Sequence, residues 1–476
     1  MSRLIVGPFN RVEGDLEVHL QLQDQRVVGA EVKAPMYRGF EQILQGKHPE
    51  DALVYVPRIC GICSVSQSVA SARALADLCG VRPPPNGQAV TDLMLATENL
   101  ADHLSHFYLF FMPDFGREVY AGQPWHAQVR QAFDPQQGTS VRQALAARQR
   151  WMVLLGHLAG KWPHTQSIQP GGSAKPIDAM ERSQLLMRIT EFRQFLEQQL
   201  FGAPLEAVTS CPDLDTLKHL VAGTGSDLDR FLGIAEALQL HRLGPGPGRL
   251  MSYGTYAPLQ AAGVWHNDQL HPLDTRDITE DCSHAWLADG PGPLHPAQGH
   301  TLPDADKPGA YTWNKAPRLQ GRVMETGALA RQVMSGQTLA RQLVAQAGSQ
   351  VLSRVLGRLL ELAVVVPQMT RWVRELRPGE PYCSVHELPD AGCGVGLTEA
   401  ARGSLGHWLE VDKGRITRYQ IIAPTSWNFS PRDAQGQAGA LEAALLGAPV
   451  QPGEKTPVAV QHIVRSFDPC MVCTVH

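Results

Sequence analysis

Two Cys-x-x-Cys pairs stand near opposite ends of this 476-residue chain, Cys60/Cys63 and Cys470/Cys473. The i, i+3 spacing lets two thiolates face one ion, and two such pairs make the four-thiolate set used by tetrahedral zinc and by iron–sulfur clusters. If the pairs converge, the fold must bring both ends of the chain into one buried metal centre. The plain reading is a structural zinc site, and three details weigh against it. Structural zinc pairs usually lie within about 15–20 residues of each other, whereas closing a loop of roughly 400 residues costs about 5 kcal/mol in chain entropy. The last pair sits just before the terminal His476, so that end must be buried although chain ends usually fray. The flanks are also specific: Arg58-Ile59-Cys60-Gly61-Ile62-Cys63 and Arg465-Ser466-Phe467-Asp468-Pro469-Cys470-Met471-Val472-Cys473-Thr474-Val475-His476.

The other five cysteines, Cys79, Cys211, Cys282, Cys383 and Cys393, are scattered singly. With an odd total of nine, a disulfide framework is disfavoured. Charged residues make up only 18% of the chain, which predicts a surface partly covered by another subunit. A net charge of −4 and the absence of a basic tract argue against nucleic acid as a ligand. No run of 18 apolar residues is present, so nothing is expected to span a membrane. The start, Met1-Ser2-Arg3-Leu4-Ile5-Val6-Gly7-Pro8, lacks the apolar core of a signal peptide. The expected location is the cytoplasm, unless a partner carries an export signal.

Hydrophobic periodicity predicts strands within 3–35, where Leu16 to Leu22 alternates with period two. Helices are expected at 64–78, 88–112, 139–160, 176–201, 212–240 and 327–376. Ser64 reads as an N-cap with Gln67 completing a capping box, and Pro176 suits a first helical turn. Residues 241–320 read as a long loop, usually functional or partner-facing. Its Gly244-Pro245-Gly246-Pro247-Gly248 run lacks the Gly-Lys-Ser/Thr ending of a phosphate loop. The last hundred residues look strand-rich and irregular. The predicted fold class is α+β and predominantly helical, with small β elements from both terminal regions and the metal site at the core. One unit spans 1–476: a β region with the first metal motif (1–63), a helical core (64–376), and a β and irregular region with the second motif (377–476).

The two cysteine segments resemble the nickel-binding motifs of the large subunit of [NiFe] hydrogenases. Four further stretches match that family in the same order: Arg11-Val12-Glu13-Gly14, Arg38-Gly39-Phe40-Glu41, Ala401-Arg402-Gly403-Ser404-Leu405-Gly406-His407-Trp408, and Ala423-Pro424-Thr425-Ser426-Trp427-Asn428. A related subunit of respiratory complex I shares the fold but lacks the cysteines. The resemblance implies that all four thiolates bind nickel. Cys63 and Cys473 would also bridge to an iron carrying CO and two cyanides, with Cys60 and Cys470 terminal. Soft thiolate donors suit a late, redox-active metal. Splitting H2, a very weak acid, needs such a metal and a nearby base.

By the same resemblance, Glu13 carries protons next to Cys470. Arg402 hangs over the metals and donates to a cyanide, oriented by Asp468 and Asp114. Thr425 donates to the second cyanide. Read without the resemblance, Glu13 is a surface carboxylate and the Arg–Asp pairs are structural. Glu41, His476 and the backbone carbonyl of Ile421 resemble the ligands of a magnesium or similar ion. The family usually has proline before the arginine, so Ala401 predicts a slightly looser loop. Many relatives extend past the final histidine and are cut there after nickel is loaded; this chain is expected to be either the processed form or one made without the extension. The spare cysteines are too few to hold iron–sulfur clusters, which implies a small subunit that does.

Three residues depart from energy-converting members: Gln67 replaces a histidine, Ile62 a valine and Phe110 a leucine. Together they match the regulatory, hydrogen-sensing branch. Added bulk in a close-packed interior narrows a gas channel, so the sequence predicts an oxygen-tolerant H2 sensor that signals to a sensor histidine kinase. The alternatives are an energy-conserving uptake hydrogenase and a zinc-stabilised structural protein.

Overall fold

The computed structural model describes residues 2–476. The alternating N-terminal segment folds as expected into an antiparallel sheet of β1 (Ser2–Val6), β2 (Glu17–Gln23) and β3 (Arg26–Lys33), with Val18, Leu20 and Val32 buried on its inner face. The first long helix, α1 (Ser64–Cys79), starts directly after Cys63. Its capping box does not form. The N–H groups of Val65 and Ser66 are accepted by the Glu98 carboxylate at 2.8 and 2.9 Å. Glu98 lies on α2 (Pro85–Ser105), so a neighbouring helix satisfies the orphan donors that a local cap would otherwise take. Beyond Ser105 the helix widens into a π turn over His106–Phe111.

After α3 (Thr139–Ala159), α4 spans Ala179–Phe195. It begins at a reciprocal Asp178/Glu181 cap, which leaves Pro176 outside the helix. The expected helix 212–240 breaks into Leu214–Val221 and Asp227–Ala237, divided by Gly223 and Gly225 at φ of 72° and 65°. Region 241–320 is not a bare loop. It holds a sheet of β4 (Arg249–Ser252), β5 (Gly263–His266) and β6 (Gln269–His271), and a pair β7 (Ile278–Asp281) and β8 (Ala316–Leu319). Strands of three or four residues are too short to show alternation. Helices α5 (Ala328–Met334) and α6 (Val351–Glu375) follow. The C-terminal region adds a meander of β9 (Gly392–Ala400), β10 (Gly403–Asp412) and β11 (Arg415–Ile422), then α7 (Val458–Phe467). The two terminal regions thus form separate sheets. With 46% helix and 17% strand, the fold is mixed helix and strand, and the predominantly helical expectation fits it loosely.

Close packing sets the two motif regions against each other. A methyl group added at Gly396 of β9 would lie 1.9 Å from the Ala70 carbonyl oxygen of α1, and one at Gly394 2.1 Å from that of Ala74. Only glycine lets the helix that follows the first cysteine pair lie flat on this sheet. The sheet in turn carries Arg402 in its β9–β10 turn.

A buried charge network braces that turn. Arg331 of α5 pairs with Glu361 of α6 at 2.8 Å and Glu399 of β9 at 2.9 Å. It also donates to the carbonyls of Ala400 and Ala401 at 2.9 and 3.1 Å. The loop before Arg402 is therefore pinned by a guanidinium, not loosened by the missing proline. Arg358 of α6 similarly holds the carbonyls of Ser466 and Phe467 at 2.6 and 2.9 Å, just before Asp468. Replacing Arg331 with methionine strands two buried carboxylates, and the expected loss is about 3–5 kcal/mol in chemical denaturation. A loss under about 1 kcal/mol would show that the network does not hold the turn.

Candidate metal centre

The four motif cysteines converge. Cys63 Sγ lies 2.9 Å from Cys473 Sγ, Cys60 Sγ 3.5 Å from Cys470 Sγ, and Cys470 Sγ 3.1 Å from Cys473 Sγ. All four sulfurs lie within 4.8 Å of one another and are buried. None is in a disulfide. Arg38 stitches the pairs together, donating to the Ile59 carbonyl beside one and to the Val472 carbonyl, at 3.0 Å, within the other. Arg38 belongs to the Arg38-Gly39-Phe40-Glu41 motif, but nothing local in that motif shows this task. Neighbouring thiols and burial push the Cys63 thiol well up, and burial with the same neighbours does so at Cys473. Four crowded, buried thiols cannot all ionise unless a cation sits among them. The donor set therefore fits a soft, thiophilic metal centre.

Arg402 is 3% exposed and lies near enough to Cys470 and Cys63 for their thiols to act on its charge. Its guanidinium pairs with Asp102 through two hydrogen bonds, one at 3.4 Å, and with Asp468 at 3.3 Å. Burial would favour the neutral form, but Asp102 and Asp468 hold Arg402 firmly protonated. Asp114 is not its partner. That carboxylate binds Arg465 at 2.5 Å and also Arg11, bracing the N-terminal motif against α7. Asp102 was missed in the sequence because it sits on α2 among other buried polar residues and belongs to no quoted motif. Thr425 lies at the start of a short helix, Pro424–Asn428. Its hydroxyl accepts the Cys470 N–H at 3.1 Å, which leaves its own proton free to donate.

Gln67 stands one turn into α1, 1% exposed. Its Oε1 meets His407 Nε2 at 3.0 Å, while the Tyr419 hydroxyl meets His407 Nδ1 at 2.9 Å. Burial drops the His407 pKa to about 3, so the ring is neutral, and Gln67 Nε2 stays buried without a partner. Ile62 packs half-buried on the core, and its N–H donates to Cys60 Sγ at 3.3 Å. Phe110 is half-buried on the π turn, whereas the adjacent Phe111 is fully buried.

Glu13 forms a parallel bridge with Cys470, and its carbonyl accepts the Met471 N–H at 2.7 Å. Burial and the nearby Cys60 thiol raise its carboxyl pKa, as suits a group that must both accept and release a proton.

On the other side, His476 Nδ1 meets the Cys473 carbonyl at 2.7 Å and its Nε2 meets Glu41 at 3.2 Å. The Ile421 N–H donates to Glu41 at 2.8 Å; since N–H and C=O of a strand residue face one side, its carbonyl faces this site too. A lysine missing from the sequence reading is also here. Lys315 reaches Glu41 at 3.3 Å, Glu280 at 3.3 Å and Gln420 at 2.8 Å. Burial opposes ionisation of Glu41, yet Lys315 and His476 pull it down to about 2. The oxygen and imidazole donors fit a hard cation, with Lys315 already supplying one positive charge to the same carboxylates.

The family profile described as nickel-dependent hydrogenase matches residues 38–131 and 140–476. The periplasmic [NiFeSe] hydrogenase large subunit of Desulfomicrobium baculatum is 30% identical, with 100% of this chain and 95% of that one covered. The uptake hydrogenase large subunit of Rubrivivax gelatinosus is 26% identical over 100% of this chain and 95% of its own. A solved structure of the H2-activated Dm. baculatum [NiFeSe] hydrogenase superposes with a TM-score of 0.86 at 29% identity, covering both chains fully. The four-thiol cluster with a buried arginine near it and this full-length match lead to one conclusion: the chain belongs to the nickel-dependent hydrogenases, as a catalytic large subunit.

Proposed function

We propose that this chain oxidises H2 for uptake, cleaving it heterolytically at a Ni–Fe centre held by Cys60, Cys63, Cys470 and Cys473. The observation that carries this reading is the buried four-sulfur cluster with the Arg402 charge near it. When bound, nickel and an iron with CO and cyanide ligands supply the redox-active acceptor that makes H2 acidic enough to split. Cys63 and Cys473, 2.9 Å apart, would be the thiolates shared between the two metals, and Cys60 and Cys470 would hold nickel alone. Arg402 and Thr425 would donate hydrogen bonds to the diatomic ligands, and Glu13, bridged to Cys470, would accept the proton and release it. Glu41, His476 and the Ile421 carbonyl would hold magnesium or a similar ion that fixes the terminus behind Cys473. Electrons would pass to iron–sulfur clusters in a small subunit, since the other cysteines form no further ligand cluster among the described residues.

Infrared spectra of the purified protein should show bound CO and cyanide, with nickel and iron in the metal analysis. Zinc alone would end the hydrogenase chemistry. Glu13→Gln should lower H2 oxidation per nickel by about 10²-fold or more with nickel content unchanged; an unaltered rate would move the proton route elsewhere.

One observation favours a second reading, the cytoplasmic H2 sensor that signals to a histidine kinase. Gln67 replaces a family histidine and is locked to His407 beside Cys63, while Ile62 and Phe110 add bulk that would narrow the gas route. In that reading Ile62→Val with Phe110→Leu renders H2 oxidation sensitive to air. Oxygen tolerance identical to the parent's would leave uptake as the sole reading.

A further inference from the structure

The sheet β4–β5–β6 faces a cavity of about 560 Å³, far larger than a water site and in the range of small-molecule pockets. The strand register explains what lines it. Arg249 pairs with His266, and Val264 with His271; residues two apart on a strand share a face, so all four side chains stand on one side of the sheet. The two imidazoles lie 5.4 Å apart, nearly perpendicular. Both rings line the cavity, and neither makes an ion pair with a carboxylate among the described residues. Arg322 enters from the loop after β8. Among the described residues, neither Arg249 nor Arg322 has a carboxylate partner. The one acid of the lining, Asp274, is held by Arg276 at 2.9 and 3.1 Å.

A divalent metal does not fit two unpaired guanidiniums, and no third ligand joins the histidines among the described residues. A dianion does fit. Guanidiniums match the oxygens of phosphate in geometry and charge, and the two imidazoles that line the cavity offer further polar contacts. Val264, Leu319 and Met324 give the cavity an apolar wall for the rest of a ligand. We propose that this cavity binds a phosphate group, presented by a small organic phosphate or by free phosphate, through Arg249, Arg322, His266 and His271. The site is independent of the metal centre.

Calorimetric titration of the purified holoenzyme with adenosine monophosphate, inorganic phosphate and citrate tests this. Saturable binding of a phosphate probe is expected, weakened tenfold or more by Arg249→Gln and by Arg322→Gln, and severalfold by His266→Gln with His271→Gln. Tighter binding of the nucleotide than of phosphate assigns the site to an organic phosphate, and equal binding assigns it to free phosphate. Unchanged H2 oxidation in the variants shows that they fold. No saturable binding of either phosphate probe, binding of citrate alone, or affinities unmoved by both arginine variants would overturn the proposal.

Discussion

Replacing Cys470 with serine is expected to give a chain that holds less than a tenth of the parent's nickel and oxidises no measurable H2. Its sulfur lies 3.5 Å from that of Cys60 and 3.1 Å from that of Cys473, so it belongs to both halves of the cluster. A serine hydroxyl is a harder donor and does not ionise in the range where a thiol does, so the site loses a soft anionic ligand. The loss is local: Cys470 is 1% exposed and the Thr425 hydroxyl still holds its N–H. Elemental analysis and an H2 oxidation assay read the result. Cys211→Ser is the control, since that thiol is buried away from the cluster and its loss should change neither quantity. Parental nickel content and rate in the Cys470 variant would refute the four-thiolate centre.

The second large effect is expected at Arg402. Arg402→Lys should keep its nickel and lose about 10²–10³-fold in H2 oxidation, the scale seen when a preorganised donor is removed from a reacting site. A guanidinium spans Asp102 and Asp468 at once, whereas an ammonium is a single point charge without the planar fork. With the arginine gone, the two buried carboxylates face each other less well neutralised, and one is driven to take up a proton. A companion comparison separates the structure from the motif reading. Asp102→Asn should reduce the rate per nickel, whereas Asp114→Asn should chiefly reduce stability, because Asp114 serves Arg465 and Arg11. The reverse pattern would restore Asp114 as the partner.

Where local sequence and fold disagree in this chain, a residue distant in sequence is the cause. Ser64 and Gln67 have the spacing of a capping box, but Glu98 of the neighbouring helix reaches the same N–H groups, and Gln67 is drawn to His407, 340 residues away. Ala401 in place of proline points to a slack loop, yet Arg331 of α5 grips its carbonyl in the β9–β10 turn. Asp114 lies beyond the π turn at His106–Phe111. A wider turn shifts the phase of all that follows it, and Asp102, before the turn, is the carboxylate that meets Arg402. The short strands between 249 and 319 carried too few residues to register as a pattern.

What the amino-acid order by itself determined is the kind of chemistry. Four thiolates, one arginine, one glutamate and a terminal histidine sit in local motifs whose donor atoms and spacing are covalent facts. What only the tertiary structure decided is which groups meet: Asp102 rather than Asp114 with Arg402, Lys315 beside Glu41, Arg38 between the cysteine pairs. Those contacts join residues up to 434 positions apart. They depend on helix phase, on glycine-permitted close approach and on where a buried charge can find a partner, and a linear motif records none of these.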